Sequence, residues 1–387
     1  MKLFDDKERT DINFANHLHN TYDYYDRSNL MGIVRRRDIL NSWFEHYPLS
    51  EKKALRSRFK KTFSSAFFEL FIHELFQKQG FDLQPHPTIS GTSKKPDFLA
   101  SGKGVRFYLE AKEVTDKTKA ELALERKTNL FYDILNTTTS PNFFFDIDEL
   151  LFKTKEQPSG KKVVKFIESQ LPKYNPDEIS RKLEKYGIEA NEPIYYEDEK
   201  VKLVVYLIPK SPEFRGQANI RPIGMYDTHT FWGGVEDSIK RGIEKKAKKY
   251  GRLDKPYLIC LNSTSDKGTQ DFDVMNSLFG SLKISYSTKS GIKDEKWGRA
   301  LDGIFFGPNG PNFTRISAIF ITQVNSSNFH VSDYWFIKHP FALKELDMNH
   351  FDFSKIFFED NQIKTKSGKS IKEILKIKED LSLNFPL

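Results

Sequence analysis

The 387-residue chain carries 61 basic and 53 acidic residues, a net charge of +8, and 38% hydrophobic residues that include 34 phenylalanines. That length exceeds one small core and predicts two domains, or one domain with large insertions, while the basic balance favours a polyanionic partner. The single cysteine, Cys260, excludes an intrachain disulfide and reads as a core thiol of a reducing, cytoplasmic protein; no apolar run reaches the length of a membrane span, and the N-terminus lacks the apolar stretch of a signal peptide.

Residues 1–60 read as a polar, helical N-terminal extension. Its aromatic and basic residues suit a solvated helix face, with Arg35, Arg36 and Arg37 as a candidate nucleic-acid contact. Residues 64–80 predict a helix capped by Ser64 or Ser65, with Phe67, Leu70, Phe71, Leu75 and Phe76 at helical intervals and Gly80 as its stop. A short strand ended by Pro85 and Pro87 follows, then two strands flanking the turn "SGKG" at 101–104. Residues 117–136 predict a helix, 142–150 a strand and 161–174 a helix. Residues 172–200 read as a loop with a short helix, 201–209 as a strand and 215–234 as a loop. A basic helix over 235–251, closed by Gly251, precedes the buried strand "KPYLICLNS" at 255–263. Further strands are predicted at 303–306, 315–324 and 333–340, with "GPNGPN" (307–312) as a turn and a basic, loosely attached helix in the tail. The whole is a mixed α/β chain with an early antiparallel hairpin.

The stretch "KKPDFLASGKGVRFYLEAKEV" (94–114) carries the chemistry. Its second strand alternates, so Tyr108, Glu110 and Lys112 share one face. With 101–104 as the turn, Ala100 pairs with Val105 and Asp97 lies opposite Tyr108, a diagonal neighbour of Glu110 at roughly 7–8 Å between backbones. Two carboxylates so close repel unless a cation lies between them, and hard oxygen ligands suit Mg²⁺. Lys112 reaches the same space, where an ammonium orients water and balances phosphate charge.

Pro96-Asp97 followed by Glu110-Ala111-Lys112 resembles the PD-(D/E)XK motif of the restriction-endonuclease-like nuclease superfamily. Glu69 on the preceding helix stands where the archaeal Holliday-junction-resolvase-like branch carries a further glutamate; Glu74 competes for that place. The resemblance implies a restriction-endonuclease-like core: a mixed sheet flanked by helices, with an N-terminal helical extension and large additional segments. It implies Asp97, Glu110 and the backbone carbonyl of Ala111 as metal ligands, Glu69 assisting, Lys112 as the catalytic lysine, and Mg²⁺, replaceable by Mn²⁺, as cofactor. The activity it implies is phosphodiester hydrolysis, of DNA before RNA, leaving a 5′-phosphate, in a restriction or antiviral-defence setting. A homodimer, or a partner or activator protein, fits that reading. The rival readings are a ribonuclease, a ligand-activated nuclease effector, and an inactive nucleic-acid-binding module.

The core is completed either by residues 235–263, making 137–230 an insertion in a 61–265 core followed by a strand-rich 266–387 segment, or by residues 117–149. Arg126 and Tyr132 on the helix after the motif are candidate substrate contacts. Lys240, Arg241, Lys245, Lys246, Lys248 and Lys249 form a basic helix face that suits a phosphate backbone. The histidines, His17, His19, His86, His229, His330, His339 and His350 among them, lack zinc-ligand spacing, and no Gly-X-Ser-X-Gly elbow supports acyl hydrolysis.

Overall fold

The computed structural model describes residues 1–17, 19–217, 220–226, 234–266, 268–286, 295–378 and 381. His229 with the rest of 227–233, and the tail beyond 381, lie outside the described residues. The chain forms two compact units: unit 1 is Met1–Asn13, Asn20–Lys117 and Gly233–Leu387, and unit 2 is Phe14–His19 and Thr118–Trp232.

Helices α1 (Thr21–Arg27), α2 (Met31–His46), α3 (Lys52–Lys61) and α4 (Phe63–Gln77) lead into strands β1 (Asp82–Pro85), β2 (Phe98–Gly102) and β3 (Val105–Val114). Unit 2 follows with α5 (Lys119–Leu135), β4 (Phe143–Phe152), α6 (Gly160–Gln170), α7 (Pro176–Tyr186), β5 (Ile194–Glu197), β6 (Val201–Pro209) and β7 (Ile223–Met225). The chain returns to unit 1 through α8 (Val235–Ala247), β8 (Tyr257–Ser263), α9 (Asp271–Phe279), β9 (Leu282–Tyr286), β10 (Glu295–Arg299), β11 (Phe306–Gly307) and β12 (Gly310–Pro311). It ends with β13 (Ala318–Thr322), β14 (Tyr334–Lys338), β15 (Lys355–Glu359), β16 (Gln362–Lys366) and α10 (Ile371–Leu375).

Unit 1 is built on an eight-stranded mixed sheet of order β1-β2-β3-β8-β13-β14-β15-β16. The three central strands, β3, β8 and β13, run parallel, and all seven residues of β8 are buried, as a strand with parallel neighbours and helices on both faces requires. Strand alternation divides the apolar side chains between two layers. Phe107, Leu109, Cys260 and Phe320 face α2, α3, α4 and α10. Tyr108, Ile259, Leu261 and Ile319 face α8 and α9. Helix α4 is buried from Ala66 through Phe76, which accounts for a sequence apolar on every side. Unit 2 is a four-stranded sheet, β5-β6-β4-β7, whose Phe145, Ile147, Leu203 and Val205 pack with Phe131 of α5, Val163 of α6 and Ile179 of α7.

Several expectations need correction. The hairpin turn has two residues: Lys103 and Gly104 both adopt positive φ, so Gly102 pairs with Val105 and Ala100 with Phe107, two places from the predicted register. Helix α4 has no side-chain cap; Ser64 donates instead to Glu113. Residues 1–13 and 20–60 belong with α4 to unit 1, and 266–387 supplies half of the large sheet, so neither 60 nor 265 bounds a compact unit. The inserted unit starts at Thr118, and α5 belongs to it. Arg36 and Arg37 are buried, donating to the Leu381 carbonyl (2.7 Å) and to those of Tyr25 and Ser28 (2.8 Å each). Segment 172–200 contains α7 and β5, and the strand expected at 303–306 begins only at Phe306. The tail is anchored: Ile371, Ile374, Leu375 and Ile377 enter the core around α4. Among the described residues, no helix is long and apolar enough to cross a membrane.

Gly242 brings α8 against the sheet. A Cβ there would overlap Val114 and stand 3.0 Å from Leu261 Cδ1. Gly242→Leu is therefore expected to destabilise the protein by about 1–3 kcal/mol, read as a lower urea midpoint at unchanged m.

Candidate metal and catalytic site

The two-residue turn decides the site. One step beyond the pair Phe98↔Leu109, Asp97 comes directly opposite Glu110. The register differs from the predicted one by an even number, so the face is the same. The backbone N–H of Ala111 donates to Asp97 Oδ2 at 2.7 Å. Burial, and after it the Glu110 charge, push the Asp97 carboxyl up to about 6.

Glu110 has no exposed surface. Its Oε1 accepts from Lys246 Nζ and, at 2.6 Å, from Lys249 Nζ, and its Oε2 accepts from the Tyr250 hydroxyl. Tyr250 also lies 2.7 Å from the Lys95 carbonyl, so it fastens the segment before Asp97 to the same cluster. Burial, then the neighbouring Lys246 and Lys245, lower the Lys112 ammonium from its ordinary value.

Glu69 stands apart from the pair. Arg58 grips its carboxylate with both terminal nitrogens, one at 2.7 Å, and Tyr47 donates to it at 2.5 Å. Its charge still acts on Asp97. Glu74 is fully buried, with His46 Nδ1 at 3.0 Å and Lys78 Nζ at 3.3 Å. Among the described residues, no three Asp, Glu, His or Cys side chains gather round one point. The carboxylates that the fold brings together, hard oxygen donors suited to a divalent cation, are Asp97 and Glu110. An anion destabilised by burial beside a second carboxylate is what such a cation relieves. Lys246 and Lys249 supply the positive charge at Glu110 in this structure.

The remaining expected residues divide. Lys245 and Lys248 are exposed on α8; Lys248 is 3.7 Å from Glu244, and Lys240 is 3.9 Å from Asp302. Arg126 is exposed on unit 2, whereas Tyr132 is buried there against Tyr226, ring centroids 4.9 Å apart. Lys246 and Lys249, expected on a basic face suited to a phosphate backbone, turn instead to Glu110, and the sequence reading missed Tyr250, Arg58 and Tyr47. One signal was available for α8: positions 239, 243, 246 and 250 form one helical stripe, so a lysine in line with two isoleucines needs a buried anion. No protein family, curated protein or solved structure matches the chain.

The raised Asp97 carboxyl has a stability consequence. Between about pH 4 and pH 6 the folded state keeps a proton that the unfolded chain has released, so this group lowers stability as pH rises through that window. Asp97→Asn preserves an acceptor for Ala111 and removes the loss. In EDTA it is expected to melt above wild type at pH 7, with the gap closing toward pH 4; a gap independent of pH would contradict the assignment.

Proposed function

We propose that unit 1 is a restriction-endonuclease-like core and that the protein is a Mg²⁺-dependent DNA endonuclease. The observation that carries this reading is the placing of the Asp97 carboxylate, which accepts from the Ala111 N–H, within reach of the Glu110 charge, two residues before Lys112 and beside the lysines at the end of α8. Mg²⁺, when bound, supplies a Lewis acid for the phosphoryl oxygen and a more acidic water. Asp97, Glu110 and the Ala111 carbonyl would hold it. Lys112, whose ammonium burial makes easier to deprotonate, holds and orients the attacking water and meets the charge that develops on the phosphate. The water oxygen bonds to phosphorus as the P–O3′ bond breaks, leaving a 5′-phosphate and a 3′-hydroxyl. Lys246, Lys249 and Tyr250 keep the Glu110 carboxylate in place without bulk water.

On this reading the enzyme works in the reducing cytoplasm, where buried Cys260 stays a thiol. Cutting both strands of a duplex takes two such sites, which a homodimer provides, and restriction or antiviral defence is the matching role.

The test is cleavage of plasmid, linear duplex, single-stranded DNA and RNA with Mg²⁺ or EDTA. Wild type is expected to cut DNA only with the metal; Asp97→Ala abolishes cutting, and Lys112→Ala slows it by about 10²–10⁴-fold. Equal cleavage by wild type and Asp97→Ala would overturn the site, and cleavage of RNA alone would overturn the substrate.

A further inference from the structure

We propose that the outer face of α3 binds the phosphate backbone of duplex DNA; the choice of DNA rests on the function proposed above. Helix α3 reads KKALRSRFKK, with six basic residues and no acidic one. Leu55 and Phe59 bury its inner side, and Lys53, Ser57, Lys60 and Lys61 face outward. Among the described residues, none of these three lysines pairs with a carboxylate. Elsewhere on unit 1 lysines are commonly neutralised, as in Lys2–Asp6, Lys7–Asp26 and Lys364–Asp360.

Helix electrostatics account for only part of this charge. Cations suit the last turn, where Lys60 and Lys61 lie, but Lys52 and Lys53 occupy the first turn, where the dipole disfavours them. Lys52 is engaged within the molecule, donating to the Glu45 carbonyl at 2.9 Å and lying over the Phe44 ring, which leaves Lys53, Lys60 and Lys61 as the outward row, and a polyanion is the partner that such a row fits.

Two contacts tie α3 and the start of α4 to the elements that carry the site. Arg58, on the same helix, holds Glu69, whose charge reaches Asp97. Ser64, three residues after Lys61, donates to Glu113, the neighbour of Lys112. Lys53 and Lys60 are separated by ~10 Å along the helix axis at 1.5 Å per residue, enough to meet separate phosphates.

The test is binding of the full chain to a labelled duplex in EDTA, followed by anisotropy across a potassium chloride series. Each phosphate contact contributes about −0.9 to the slope of log K against log[salt]. Lys60→Gln/Lys61→Gln is expected to flatten the slope by about two and to weaken binding to unrelated sequences alike, while Lys60→Arg/Lys61→Arg keeps the wild-type slope. An unchanged slope in a glutamine variant that melts like wild type would overturn the proposal. So would loss of binding to anionic vesicles with DNA binding intact. The two readings fail separately: Mg²⁺-dependent cleavage with an unchanged slope removes only the α3 surface, and a flattened slope without cleavage removes only the nuclease.

Discussion

Glu110 is a charge buried at the centre of the sheet's working face, and the organisation of unit 1 follows from the need to neutralise it. An isolated carboxylate at that depth is prohibitive; two ammonium groups and a phenol make it tolerable. Those three partners come from the C-terminal end of α8 and the residues just after it, so α8 must lie close against β3 and β8. Gly242 permits that approach, and Val235, Ile239 and Ile243 hold it by burial. Such a network contributes little net stability beside an apolar core of equal volume. Its retention here is consistent with a role for the carboxylate itself.

Around that anchor, the turn at Lys103-Gly104 fixes the register that sets Asp97 opposite Glu110. The result is one carboxylate held by three donors, with a lone pair of Oε2 still open, and one pushed toward its protonated form. That asymmetry suits a site that accepts a cation: Asp97 gains most from its arrival, while Glu110 is already shaped and dry. Glu69, clamped by Arg58 and Tyr47, adds negative potential from α4 without joining the pair.

Local pattern in the sequence carried much of this. The period of 3.6 in α4 and of 2 in β3, and the short apolar run of β8, predicted those elements, because each buries one or both faces in a regular way. The hairpin face survived a register error of two, since parity sets the face and turn length sets the pairing. Long-range pairings were beyond that reading. Nothing local says that Arg58 meets Glu69, or that α5, a good helix by propensity, belongs to the inserted unit and not to the large sheet. The tail misled because lysines interleave its apolar positions: Ile371, Ile374 and Leu375 mark a buried helical stripe inside a basic sequence. Arg36 and Arg37 misled similarly, as arginines whose targets are backbone carbonyls distant in the chain or in adjoining turns.

Calorimetric titration of Mg²⁺ into the full chain at neutral pH, with wild type, Glu110→Gln and Asp97→Asn side by side, addresses the central claim most directly. The account predicts saturable binding to wild type that both substitutions abolish and that Arg126→Ala leaves unchanged. Binding that persists undiminished in both carboxylate variants would contradict it.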